Sequence, residues 1–378
     1  MNINDLISSI QTFIPEFNTS YCVINGALMR LDEIENMGYR EFWMRSKWNM
    51  PKKLYKYFPN IKNNDGEQIN YSHLALENNT VFMQSPSKFD DVYDSDIHIE
   101  YEEYEKYRLR EYCYRSQLNI GSEATSQELG DCFLRWIFDT YQRTHSFDDF
   151  FQIKPESEIE ELSNQCFCMR LKNEYLKGLD WGAALAKVIR IEYEDYTSYL
   201  KTAFRTACFT TTPYSQLMWG GSYADCHRGF CIEYTVLPED ITYQEIYQNL
   251  FPIVYCKARP NITERIVAYK DKPPTEENLW DIYFHGALRK SIDWAYQNEW
   301  RLLLPIGRAK ETNYNVAFFP ITKVFLGNRM TYENRKSIIE ICHGRNIPYV
   351  GVTRNPEYFE MQDCNVLCED CPQYQMDI

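Results

Sequence analysis

Ser291-Ile-Asp-Trp-Ala-Tyr-Gln-Asn-Glu-Trp-Arg-Leu-Leu-Leu-Pro305 is the stretch that decides the fold of this chain. Its second half, from Glu299 to Leu304, reads as a buried strand closed by a proline, with one carboxylate at its mouth and Arg301 two positions on. Side chains two apart on a strand share a face, so Gln297, Glu299 and Arg301 are expected on one side of an extended chain. An amide beside a carboxylate can hold a sugar hydroxyl and orient an incoming nucleophile. Two readings of Glu299 stay open at this point. It is either half of a structural ion pair or a catalytic carboxylate that stabilises an oxocarbenium-like sugar and binds ribose hydroxyls.

Other short apolar runs surround that strand. Ala207–Thr210, Gly229–Val236, Ile253–Cys256, Lys323–Gly327 and Tyr349–Val352 read as strands, and Lys336–Cys342 as a helix. Upstream, Lys53–Phe58 alternates like a strand, Asn63–Gly66 is a turn, Ser72–Asn79 a short helix and Thr80–Gln84 a second strand. A polar loop, 85–94, follows. Residues 97–205 are helical and heavily charged, and read as an insertion. Leu6, Ile10 and Phe13, then Leu28, Leu31, Ile34 and Met37, carry mixed helical periodicity, which predicts an N-terminal helical extension over 1–50. Strands that do not alternate one-to-one with helices argue for an α+β fold rather than a doubly wound one. The expected layout is thus an extension (1–50), a main domain (51–350) and a cysteine-rich tail (351–378).

Composition narrows the class. At 378 residues and 44% hydrophobic, the chain is long and apolar enough to fold around one large core or two ordinary ones. Its 30 Tyr, 21 Phe and 8 Trp suit a tyrosine-rich core, and equally a site that stacks flat rings. A net charge of −14 gives no general attraction to phosphate backbones. No apolar run is long enough to span a membrane and no basic-then-apolar leader stands at the N-terminus, so a soluble, cytoplasmic protein without membrane partners is expected. The 13 cysteines are odd in number and scattered, which argues against a disulfide framework. The tail differs. Cys364, Cys368 and Cys371 have the C-x3-C-x2-C spacing of an iron–sulfur loop but stand far from any early strand. A zinc site completed by Cys342 or His343, or plain free thiols, fits as well.

Two further groups carry chemistry. Trp219, Tyr223 and His227 fall four apart, so a helix would align them as one aromatic stripe, although Gly220-Gly221 interrupts it. Asp90, Asp91 and Asp94 sit within five positions. Metal binding for hydrolysis and N-capping of the next helix by Asp94 or Ser95 are both open. Neither a glycine-rich phosphate loop nor a serine-histidine-aspartate or zinc-protease signature is present, and no metal ligand is assigned.

Together the blocks Leu54-Tyr55-Lys56-Tyr57, Ser85-Pro86 with Phe89 through Asp94, Met218-Trp219 with Tyr223, His227 and Gly229, and Trp294 through Arg301 resemble the bacterial family catalogued as domain of unknown function 2971. That family looks like a divergent branch of the ADP-ribosyltransferase fold, a split mixed and antiparallel sheet. The resemblance implies NAD as co-substrate and a macromolecular acceptor, nucleic acid or protein, as in a toxin or anti-phage effector with a neutralising partner. It implies that Tyr55, Lys56, Tyr57, Ser85, Phe89 and Arg301 grip NAD, that Trp219, Tyr223 and His227 wall the nicotinamide, and that Glu299 and Gln297 act on the ribose and the acceptor. Gln297 stands where the family usually has Glu, which points away from an arginine acceptor. The first strand lacks the Arg or His typical of such transferases. A noncatalytic nucleotide- or partner-binding module with the same fold is therefore the alternative.

Overall fold

The computed structural model describes residues 17–60, 70–96, 98–259, 261–263, 265, 275, 280, 283–305 and 314–364. Along the chain run β1 (Tyr21–Ile24), β2 (Ala27–Arg30), α1 (Leu31–Glu35), α2 (Tyr39–Trp48), β3 (Lys53–Phe58), α3 (Tyr71–Asn78) and β4 (Thr80–Met83). Four long helices follow: α4 (Tyr101–Arg115), α5 (Ser126–Thr144), α6 (Glu158–Leu176) and α7 (Trp181–Thr202). Then come β5 (Phe204–Phe209), the one-turn α8 (Gln216–Gly220), β6 (Phe230–Thr235), β7 (Leu250–Pro252), β8 (Val254–Cys256), β9 (Arg289–Ser291) and β10 (Trp300–Pro305). The last elements are β11 (Tyr314–Ala317), β12 (Ile321–Leu326), α9 (Tyr332–Arg345), β13 (Tyr349–Arg354) and β14 (Met361–Asp363).

These elements form two compact units. The first takes Met1–Asp94, Phe204–Ala258 and Leu288–Ile378, and the second Ser95–Ala203 and Arg259–Ala287. In the first, the sheets run β14-β13-β12-β6-β3, β5-β10-β7, β2-β1-β8-β9 and β11-β4. All pairs are antiparallel except β12 with β13 and β8 with β9, so the class is α+β with mixed and antiparallel sheets. Single bridges from Tyr55 to Thr210 and from Gln84 to Thr206 tie β3 and β4 to the same edge of β5. Alternate residues from these strands point into one core: Leu54 and Phe58, Ala207 and Phe209, Phe230 and Ile232, Trp300 and Leu302, Val324 and Leu326. Helix α9 covers it with Ile338, Ile339 and Cys342. Burial of such side chains, about 1.5–3 kcal/mol each, is what orders the strands.

The second unit packs α4 to α7 around Tyr104, Tyr112, Phe133, Phe167, Leu171 and Val188. This unit also draws on the later segment: His98 pairs with Asn261, and Ile262 enters its core. No helix among the described residues is long and apolar enough to cross a membrane.

Within the stretch expected to be a helical extension, α1 and α2 are helical, and β1 and β2 stand before them. Residues 21–30 form a hairpin, not a helix, because Asn25 and Gly26 take φ of 51° and 75°. Consecutive left-handed residues make the tight turn whose twist matches paired strands. The hairpin shares its sheet with β8 and β9, within the first unit. Downstream, β13 and β14 complete the five-stranded sheet, so the supposed tail contributes its edge up to Asp363. Leu6, Ile10 and Phe13, the Asn63–Gly66 turn, and Cys368 and Cys371 lie outside the described residues. Within them Cys342 and Cys364 are free thiols.

Two glycines hold the loop before β6 to the loop after β12. A Cβ on Gly229 would stand 2.1 Å from the Phe58 carbonyl oxygen, and one on Gly327 2.1 Å from that of His227. Both neighbours are backbone, and the Gly327 amide donates to the Gly229 carbonyl at 3.0 Å. Gly229→Ala and Gly327→Ala should each cost about 3 kcal/mol or more, at the upper end for overpacked sites. Urea denaturation measures this, and a loss under ~1 kcal/mol would contradict the close approach.

Candidate functional site

Strand β10 lies between β5 and β7, with Arg301 opposite Cys208 on one side and Phe251 on the other. Trp300, Leu302 and Leu304 point into the core, so Glu299 and Arg301 share the opposite face, as the alternation predicts. Both are buried. The Arg301 guanidinium holds Glu299 Oε1 at 2.6 Å through Nη2 and 2.8 Å through Nε. It also binds Asp94 as a fork, Nη1 to Oδ1 at 2.9 Å and Nη2 to Oδ2 at 3.1 Å. Lys290 on β9 supplies a second cation, with Nζ 3.0 Å from Asp94 Oδ2 and 3.2 Å from Glu299 Oε2. Two carboxylates thus face two cations, all four at most 9% exposed. The ring of Phe89 lies under the guanidinium at 5.5 Å.

Gln297 reaches this cluster by a different route from the one expected. It ends a 3-10 turn, Ile292–Gln297, and Asn298 turns left-handed at φ 44°, so Gln297 and Glu299 are not neighbours on one extended strand. They converge on a shared partner instead: Lys290 Nζ donates to Gln297 Oε1 at 3.0 Å. Gln297 Nε2 donates to the Tyr223 hydroxyl at 2.8 Å, and the Thr210 hydroxyl donates to the Gln297 carbonyl at 2.6 Å. The Glu299 amide donates to the Tyr255 hydroxyl at 2.8 Å. Trp294 sits 5.1 Å from the Lys290 ammonium, and Tyr296 lies 6.0 Å from Trp294. Half-exposed Tyr223 and Tyr296 mark the solvent side of the cluster.

Electrostatics fix the protonation states. Burial alone would raise the Glu299 pKa, but Arg301 and Lys290 outweigh it and hold the carboxyl below its usual value. Burial opposes the Lys290 charge in turn, and Glu299 with Asp94 reverses that effect and keeps the ammonium protonated. Burial and the Glu299 charge push the Cys208 thiol up to about 12, so it stays neutral. Lys56 donates to the Cys208 carbonyl at 3.1 Å, and burial lowers its pKa while Cys208 and Glu299 partly restore it.

The structure divides the expected site in two. Glu299, Gln297, Arg301, Phe89 and Tyr223 come together, with Lys56 beside them. Tyr55 and Tyr57 alternate to the other face of β3. There Tyr57 packs edge-on against Trp219 at 5.1 Å, and Tyr55 donates to Glu233 at 3.1 Å. Trp219 is fully buried, gives its indole N–H to the Pro213 carbonyl at 2.7 Å, and stacks on His227 at 6.4 Å. The anticipated aromatic stripe does not form. Helix α8 stops at Gly220 and Gly221 is extended, with φ −88° and ψ −170°, which sends Tyr223 away from Trp219; the left-handed Asp225, Cys226 and His227 then turn the chain so that His227 returns to Trp219. Ser85 pairs with Ser87 at 2.9 Å. Asp94 caps no helix, since α4 starts at Tyr101 after Glu100. No group of His, Cys, Asp and Glu among the described residues could hold a metal.

Lys290 is the residue that pattern reading missed. Its signal was a pair of cations, Arg289-Lys290, following the apolar Ala287-Leu288, together with the need of a buried Glu299 for counter-charge. Residues 218–302 match the family model described as Protein of unknown function (DUF2971). The match spans Tyr223, Lys290, Gln297, Glu299 and Arg301, and leaves Lys56, Phe89 and Asp94 outside. The resemblance to that family therefore stands over this stretch. No curated protein matches the chain. No solved structure matches it either.

Removing one member of a buried ion cluster strands the charge of its partners. Arg301→Ala should destabilise the chain by about 3–5 kcal/mol in urea titration, and a loss below ~1 kcal/mol would show that the cluster is not structural. The pH dependence follows from the lowered Glu299 pKa. Its contribution is complete above the ordinary value of 4.5 and is lost as pH falls through the lower folded-state value. Stability should drop on acidification below about pH 4.5, and the slope should flatten in Glu299→Gln.

Proposed function

We propose that this chain is an NAD-dependent ADP-ribosyltransferase that modifies a macromolecule, nucleic acid or protein, in the manner of a toxin or defence effector. One observation carries the reading: Gln297 and Glu299 converge on a single positive charge, the Lys290 ammonium, at 3.0 and 3.2 Å. In glycosyl transfer from NAD the bond between ribose and nicotinamide breaks, and neutral nicotinamide leaves with the electron pair. The positive charge left on the sugar is what a carboxylate in this position stabilises. An acceptor nucleophile then bonds to the anomeric carbon and gives up its proton. An amide–carboxylate pair that already holds a cation has the required electrostatics, and its Gln-x-Glu composition favours acceptors other than arginine.

The assignment of the aromatic walls needs revision. Trp219 is sealed in the core, so Tyr223 and Trp294 replace Trp219 and His227 as the aromatic walls of this reading. Lys290 must release Glu299 for the sugar to be bound. A neutralising partner is expected for a toxin of this kind.

A specific observation favours a second reading, a noncatalytic nucleotide- or partner-binding module. Glu299 is already ion-paired to Arg301 and Lys290, which leaves little net negative charge for a transition state.

Incubation with NAD and cell extract, followed by nicotinamide release and label transfer, separates the readings. The transferase releases nicotinamide, and Gln297→Ala and Glu299→Gln lower the rate by about 100-fold while circular dichroism stays unchanged. NAD that remains intact but raises the melting temperature supports the binding module. Intact NAD with no thermal shift removes the transferase and leaves only a module that binds a partner.

A further inference from the structure

The β1–β2 hairpin and strand β8 bring two thiols to one place. Cys22 on β1 stands directly opposite Cys256 on β8, and both are buried free thiols. The kind of pairing follows from the strands on either side. Around the two-residue turn Asn25-Gly26, Ile24 and Ala27 exchange backbone hydrogen bonds, so Ile24 and Cys22 aim their amide and carbonyl groups at β2. On β8 the Val254 amide donates to the Leu288 carbonyl at 2.8 Å, so Val254 and Cys256 aim theirs at β9. Cys22 and Cys256 therefore meet as a non-hydrogen-bonded pair, the closer of the two antiparallel kinds. Such a pair sets its Cα atoms about 4.5 Å apart, within the roughly 4.4–6.8 Å that a disulfide spans.

We propose that Cys22 and Cys256 are a redox site, closed by hydrogen peroxide into a cross-strand disulfide that fastens the hairpin to β8. The Cys256 thiolate attacks one peroxide oxygen. An S–O bond forms, the O–O bond breaks, and hydroxide leaves and takes up a proton. The Cys22 thiolate then attacks the sulfenic sulfur, the S–S bond forms, and the second hydroxide leaves. Two thiols have given up two protons and two electrons, and the peroxide has become two waters.

Surroundings set the order of the two steps. Cys256 is the more exposed, 6% against 1% for Cys22, so the oxidant meets it first and must be small. Burial raises both thiols, and at Cys22 the neighbouring Cys256 adds to the rise and takes it to about 12. The Arg289 guanidinium opposes that rise at both sulfurs, and Glu35 holds it in place at 3.1 Å. The reaction is therefore slow at neutral pH and quickens as pH rises.

The pair lies on the reverse side of the candidate site. Tyr255, next to Cys256, points to the other face of the sheet, where its hydroxyl accepts from the Glu299 amide at 2.8 Å. Lys290 is in register with Tyr255 and binds Glu299 on that same face. Closing the disulfide pins the strand that carries Tyr255, whatever ligand the ion cluster meets.

Peptide mapping of the full chain tests the site. Wild-type protein is treated with hydrogen peroxide at about pH 8.5, the ordinary thiol pKa, then unfolded in an alkylating reagent and mapped without reduction by mass spectrometry. The Cys22–Cys256 linked peptide should appear and should vanish on treatment with dithiothreitol. The melting temperature of the oxidised chain should rise by about 3 °C or more. Cys22→Ser and Cys22→Ala should show neither change, and in both Cys256 should instead give a dimedone adduct. Cys22 and Cys256 that both stay alkylatable after the exposed Cys166 and Cys226 have oxidised overturn the proposal. Cys256 linked to any other cysteine overturns it as well. A link that leaves the melting temperature unchanged overturns the fastening of the hairpin to β8.

Discussion

Four buried charges, Asp94, Glu299, Arg301 and Lys290, hold together segments that are far apart in the chain. They join the end of the loop after β4, the strand β9 and the head of β10. None of the four would stand burial alone, since an unpaired ion inside a protein costs several kcal/mol. Each is tolerable because the others are present. The arrangement is therefore conditional: β10 can carry Glu299 and Arg301 inward only if the loop delivers Asp94 and β9 delivers Lys290. The forked contact of Arg301 on Asp94 adds direction to the attraction, because a planar guanidinium meets a carboxylate in few orientations.

Alternation along single strands governs the rest of the unit. On β3, Leu54 and Phe58 enter the main core and Lys56 points towards Cys208 and Glu299, while Tyr55 and Tyr57 pack on the opposite side. A block of adjacent residues that seems in sequence to grip one ligand is thus divided between two faces of a sheet. The same logic separates Trp219 from Tyr223. There the cause is not alternation but the end of the helix at Gly220, after which Gly221 is extended.

Legibility in the sequence followed the range of the forces involved. The strands around Lys53, Ala207, Gly229, Glu299, Lys323 and Tyr349 and the helix around Ile338 were readable, because an apolar period is a local signal. The hairpin at 21–30 was readable in principle from Asn25-Gly26, but Leu28 and Leu31 also fit a helical period and masked the turn. Of the site, Glu299 and Arg301 could be paired by spacing alone. Lys290 and Asp94 could not, for their partners lie on other strands and only the folded sheets bring them together. The second segment of the helical unit was hidden for the same reason, since the bridge from His98 to Asn261 spans most of the insertion.

The ion cluster also constrains any chemistry proposed for the site. Glu299 touches two cations of unequal standing. Arg301 is fully enclosed and bound by both carboxylates, whereas Lys290 lies nearer the solvent side, over Trp294 and beside Gln297 and Tyr223. A flexible stem ending in a point charge can withdraw more easily than a forked guanidinium. If a ribose is to reach Glu299, Lys290 is the side chain that withdraws, and the positive charge that the sugar gains as nicotinamide leaves then takes the place of the ammonium. In the transferase reading, Lys290 therefore holds the site in a folded, neutral state until the substrate takes its place.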